Sequence, residues 1–122
     1  YAYKAQLVTD AEIYMGCAVV FSDSVPAELS VVVPQAANDL LTINGVEASF
    51  VAVDNGAQVS VSARSMGDVN VQVIMEKLGG GGHLTMAGAQ LRNASLEEAK
   101  RRLLDAISEY RESQRTEKQK NS

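Results

Sequence analysis

The sequence predicts a single α/β domain, a mixed β-sheet flanked by α-helices and closed by a long amphipathic C-terminal helix. Three observations carry that expectation. Segments of period two, such as Val59-Ser60-Val61-Ser62-Ala63, alternate with segments of helical spacing. Of the 122 residues 46% are apolar, enough for one core and short for two. Finally, Leu96, Ala99, Leu103, Ala106, Ile107 and Tyr110 share one helical face near the end of the chain.

Taken in order, residues 13–21 are apolar and β-prone and stop at Ser22-Asp23-Ser24, which predicts one buried strand followed by a turn or helix cap. A helix follows whose start is set by two prolines. Pro26 suits a first turn after Ser24, but Pro34 would then break the interior, so the helix either kinks or begins near Pro34. Ala36, Ala37, Leu40 and Leu41 recur at helical spacing and Asn44-Gly45 supplies the stop. Residues 46–53 read as a strand, Asp54-Asn55-Gly56 as a hairpin turn and residues 57–63 as the returning strand. Its alternation puts Val59, Val61 and Ala63 on one face and Ser60, Ser62 and Arg64 on the other. Arg64-Ser65-Met66-Gly67 then leaves the sheet, and Asp68 caps a helix over residues 69–78. Ala89-Gln90-Leu91 reads as a short strand and Ser95-Leu96-Glu97-Glu98 as a capping box. Glu97 to Arg101 and Glu98 to Arg102 form i,i+4 pairs on the outside of the last helix, and beyond Tyr110 an all-polar tail of about ten residues frays.

Composition excludes several functions. A net charge of −4 argues against broad electrostatic capture of duplex nucleic acid, so any phosphate recognition must be local. Cys17, the one cysteine, lies in an apolar run with no partner for a disulfide or a nucleophilic pair, and reads as core. No apolar stretch approaches the roughly 18 residues of a membrane span, and no signal peptide opens the chain. A first residue of Tyr1 in place of Met reads as a piece of a longer protein.

The run Gly79-Gly80-Gly81-Gly82-His83 carries the most chemistry. Four residues without a Cβ permit positive φ and let successive N–H groups converge on an anion. His83, the single histidine, stands at its rim. A dinucleotide fold would need the glycines between a strand and a helix N-terminus, whereas here a helix precedes them and presents its negative end. The pull on a phosphate must come from loop N–H groups, the turn near Leu84, Arg64 and His83. Arg64 precedes and the glycines follow the same helix of about ten residues, roughly 15 Å long, so one that folds back lines a single cleft with both. A tight backbone crossover explains the glycines equally well, and both readings stand open. No Lys-Ser follows the run, no ligand spacing for a metal surrounds His83, and no acid–base pair or catalytic triad is legible, so no catalytic and no metal-binding residue is assigned.

The glycine–histidine run with Ala87-Gly88 after it, preceded by Ser62-Ala63-Arg64-Ser65 and the helix to Leu78, resembles the type-one DHH-associated domain of the DHH phosphoesterase superfamily. The form Gly-Gly-Gly-Gly-His-Leu-Thr is most similar to the C-terminal domain of membrane-anchored cyclic-di-AMP phosphodiesterases, over about residues 33–110. The resemblance implies an upstream Asp-His-His domain, not contained in this chain, that binds two manganese ions and activates water for in-line phosphodiester hydrolysis. The present domain would close over that site, with the backbone of Gly79, Gly80, Gly81 and Gly82 and His83 against phosphate or base, and Arg64 and Ser65 on a phosphate. It would bind weakly alone and hydrolyse nothing, with no cofactor of its own. Its partners would be a cyclic dinucleotide or short oligonucleotide and the upstream domain; a homodimer stays open. The location would be cytoplasmic, with a membrane-anchored parent and no membrane contact by this domain.

Three alternatives remain. One is the substrate-binding half of an exonuclease acting on very short RNA or single-stranded DNA; the acidic balance and the lack of stacking aromatics disfavour a long track. Another is a non-catalytic RNA-binding module, as in alanyl-tRNA synthetases, for which Lys100-Arg101-Arg102 is the one basic cluster. The last is a packing or dimerisation domain.

Overall fold

The computed structural model describes residues 2–23 and 31–120. Six strands and four helices run in the order α1 (Ala2–Asp10), β1 (Glu12–Tyr14), β2 (Cys17–Ser22), α2 (Val32–Leu40), β3 (Ala48–Asp54), β4 (Gln58–Ser65), α3 (Val71–Glu76), β5 (Gly81–Gly82), β6 (Met86–Arg92) and α4 (Leu96–Lys120). The strands form one mixed sheet of order β1-β2-β3-β4-β6-β5, in which β2 and β3 are parallel and the other neighbours antiparallel. The parallel pair is bridged by α2, as a crossover requires.

Two cores lie on opposite faces of this sheet. On one, Phe50, Val59, Val61, Ala63 and Leu91 pack against Ile74 and Met75 of α3 and Leu103 and Ile107 of α4. On the other, Ala18, Val20, Val51 and Val53 meet Leu7 of α1 and Val33, Ala36, Ala37 and Leu40 of α2. β3 is therefore covered on both sides and buried from Ala48 to Val53, whereas β4 alternates between buried and half-buried. The helix α1 has no counterpart in the sequence pattern, because Leu7 is its one buried apolar side chain among those described.

Several sequence expectations are corrected. Residues 13–21 are not one strand: Met15 and Gly16 take φ of 51° and 81°, the signs of a type I′ turn, and fold the segment into the β1–β2 hairpin. Pro26 lies outside the described residues, but Pro34 falls in the first turn of α2, where its missing N–H would have no partner in the helix. Arg64 and Ser65 stay in the sheet, paired with Ser49 and Ala48. The cap of α3 is Asn70, whose side chain accepts from the N–H groups of Gln72 and Val73, and not Asp68.

The expected capping box is present in its Ser95 half, the hydroxyl accepting from Glu98 N–H at 3.1 Å. Beyond Tyr110 the chain does not fray but continues as helix to Lys120. Arg111 explains part of this: its guanidinium donates to Met15 O and Glu47 Oε1, at 3.1 and 3.0 Å, tying α4 to the β1–β2 turn. On the outside of that helix Arg115 pairs with Glu112, three residues apart.

Candidate functional site

The four glycines have separate structural duties. Gly79 takes φ +85° and donates its N–H to Glu76 O, while Gly80 N–H reaches Met75 O at 2.9 Å. This paired pattern ends the helix in a left-handed residue, the Schellman arrangement. A Cβ on Gly80 would fall inside contact distance of Gly88 O and lie 2.7 Å from Ala89 Cα, and one on Gly82 would lie 2.5 Å from Ala87 Cα. Gly81 has nothing within 4 Å of such an atom and no positive φ.

The expected convergence of four loop N–H groups is therefore not what forms. Residues 81–82 are an edge strand, and His83 N–H donates to Met86 O at 2.7 Å, extending the pairing by one step. Antiparallel alternation then turns Gly81 towards Gly88 and leaves Gly82 with its N–H and C=O directed off the sheet edge.

Arg64 and Ser65, adjacent in β4, lie on opposite faces. Ser65 is 6% exposed, and its hydroxyl lies 2.7 Å from Val69 O and 3.3 Å from Leu84 O while accepting from Gly67 N–H. It fastens the end of β4 to the entry of α3 and to the turn after the glycines. Arg64 is half-buried on the other face, donating from one terminal nitrogen to Ala63 O. Its Nε is the one buried side-chain polar atom among the described residues that has no hydrogen-bond partner. Burial lowers the pKa of this guanidinium, and no carboxylate among the described residues offsets its charge. A half-buried cation with no counter-charge and a buried, unpartnered Nε is suited to an anion that would complete it.

Register gathers the rest. Arg64 stands opposite Met86, and Met86 opposite His83, one row across β4, β6 and the end of β5. The next row is Ser62, Gly88 and Gly81, almost without side chains. With strands about 4.8 Å apart, Arg64 and His83 backbones stand about 10 Å apart at the edge of a nearly bare floor. The α1–α2 layer packs on β2 and β3, with α2 also reaching β4, so Arg64, Ser62 and Gly88 are half-buried while Met86 and His83, farther towards the edge, are exposed. Sequence reasoning named Arg64, Gly81 and His83 of this group and missed Met86 and Gly88 as members; the signal for them was the strand register, which requires knowing that β6 pairs with β4.

The arrangement can hold a phosphate at Arg64 and a flat group across the glycine floor. Among the described residues no three His, Cys, Asp or Glu side chains gather to hold a metal ion, and no helix is long and apolar enough to cross a membrane.

Comparison with known proteins places the chain. Residues 26–113 match the DHHA1 domain. The chain is 48% identical over 112 residues to the cyclic-di-AMP phosphodiesterase GdpP of Geobacillus thermodenitrificans and 42% identical over 112 residues to PdeA of Listeria monocytogenes, a cyclic-di-AMP phosphodiesterase too. Each match covers 90% of this chain and 17% of the relative, so the chain spans about a sixth of those proteins. In structure it resembles an exopolyphosphatase-related protein from Bacteroides fragilis, with a TM-score of 0.75 at 20% identity, over 89% of this chain and 34% of that one. That likeness shows the shared fold.

Proposed function

The chain belongs to the DHHA1 domain family, and from that premise we propose that it is the nucleotide-binding C-terminal domain of a phosphodiesterase acting on cyclic-di-AMP. The observation that carries the proposal is the orphaned Nε of Arg64, a half-buried cation with no counter-charge, abreast of Met86 and His83 beside the Gly81–Gly88 floor. The identity to GdpP and PdeA supports the substrate class.

In this reading Arg64 takes a phosphate oxygen, the fork of the guanidinium fixing its orientation and the partial burial strengthening the bond. Gly81 and Gly88 let the ligand lie close to backbone, and Gly82 N–H supplies an outward donor at the edge. His83 borders the same ligand and can donate to phosphate or base. Ser65 contributes by holding the strand end and the turn in place. Manganese and the water-activating groups belong to an upstream Asp-His-His domain, as in the family, so this chain alone binds and orients without hydrolysing.

An amide chemical-shift titration with cyclic-di-AMP, its linear dinucleotide and a longer oligonucleotide tests this. Shifts centred on Arg64 and Gly81 to His83 with the short ligands are expected. Shifts confined to Lys100, Arg101 and Arg102, and seen with the oligonucleotide alone, would replace the proposal with an RNA-binding module. Silence with all three would leave the glycines a purely structural crossing.

A further inference from the structure

Three apolar side chains near Arg64 in the chain or across the sheet are exposed. Met66, two residues beyond Arg64, is 71% exposed; Met86, directly opposite it on β6, is 53% exposed; and Leu84, in the turn between His83 and Met86, is 46% exposed. Exposed apolar side chains scattered singly are ordinary, but three at the end of β4 and the start of β6, one of them directly across from an uncompensated guanidinium, offer an apolar surface beside a cation. Next to that surface lie Gly88 and Gly81, whose lack of side chains leaves Met86 with a clear flank.

A nucleotide needs a surface for its base as well as for its phosphate, and an aromatic side chain is the usual provider. None serves here. Phe50 is fully buried, Phe21 lies under Lys100, Tyr14 is bonded to Ser108, and the Tyr110 hydroxyl meets Asn70 N–H. Tyr3 sits on α1, whose layer packs on β2 and β3 away from the β6–β5 edge. With the Arg64 guanidinium engaged by the phosphate, the side chains at the site left to lie against a π-face include His83 and the thioethers of Met66 and Met86, whose polarisable sulfur makes favourable contacts with aromatic rings.

We propose that Met86, flanked by Met66 and Leu84, is the base-packing residue of the site, so that the ligand class is a nucleotide whose purine lies on the thioether across the Gly88 floor while its phosphate meets Arg64. This rests on the phosphate reading of Arg64 given above. The ligand is bound in two parts, and the base contribution is separable from the phosphate contribution.

The test compares AMP with ribose 5-phosphate on the 122-residue chain labelled at its methionine methyls. AMP is expected to bind about two- to twelvefold more tightly than ribose 5-phosphate, the range of a sulfur–aromatic contact. Its ring should also shift the Met86 methyl resonance, which ribose 5-phosphate leaves in place. In Met86→Ser the advantage of AMP should collapse while ribose 5-phosphate binding persists, and Met86→Leu should keep part of it. Equal affinities for the two ligands, or an AMP advantage that survives Met86→Ser, would overturn the proposal and leave the Arg64 reading intact. Failure of ribose 5-phosphate to bind the native chain would overturn both.

Discussion

Gly80 passes so close to Gly88 that a β-carbon on the first would press on the carbonyl oxygen of the second, with Ala89 Cα 2.7 Å away. The obstruction is backbone, which cannot yield as a side chain tip does. Gly80→Ala is therefore expected to destabilise the domain by about 3 kcal/mol, at the upper end of ordinary overpacking. Gly81→Ala, with open space around the new atom, should remain within about 1 kcal/mol of the native chain and lower ligand affinity instead. Denaturant midpoints and nucleotide titrations on the two variants check the contrast.

Ser65→Ala removes the hydroxyl that lies 2.7 Å from Val69 O and accepts from Gly67 N–H in a site 6% exposed. The loss should be about 1–3 kcal/mol of stability, the range for buried groups left without partners. Phosphate affinity of the folded molecule should stay within about twofold of native, because the hydroxyl faces away from Arg64. A large loss of affinity without loss of stability would restore Ser65 to the ligand.

Arg64→Ala behaves in the opposite way. It removes a cation with no ion-pair partner, so stability should change by no more than about 1 kcal/mol, whereas phosphate affinity should fall at least about tenfold. Arg64→Lys keeps the charge without the planar fork and should fall between native and Ala. Calorimetric titration with cyclic-di-AMP, alongside thermal unfolding, reads both quantities.

Burial pushes the Cys17 thiol above its ordinary value of 9.0, and the nearby Arg111 guanidinium offsets this in part. An acid whose pKa is raised by folding binds its proton more tightly in the native state. The native state then loses stability as pH rises through about 9, where the unfolded thiol begins to ionise. Between pH 8 and 10 the native chain should lose more stability than Cys17→Ala, in which the other titrating groups remain. Identical pH dependence of the two chains would contradict the burial effect.

Much of the candidate site was legible from residue chemistry alone. A four-glycine run beside a lone histidine, and a strand with Arg64 opposite to its apolar face, are local patterns visible before any packing is known, although packing changed what the glycines do. The β3–β4 hairpin, the apolar stripe of α4 and the mixed α/β class were legible for the same reason, since periodicity and turn chemistry act over a few residues. The Met15-Gly16 turn was hidden because methionine is not a residue that advertises positive φ. The helix past Tyr110 was hidden because Arg111 is held by Met15 O and Glu47, residues far away in sequence.

By itself, then, the sequence determined the class of fold, the two faces of β4 and the two motifs of the candidate site. Tertiary structure alone decided how the motifs meet. Pairing β6 between β4 and β5 set Arg64, Met86 and His83 in one row, made crossings of Gly80 and Gly82, and turned Ser65 inward as a tether. Register between strands separated in sequence is fixed by the burial of a whole face at once, so no local pattern could have announced which residues would stand abreast.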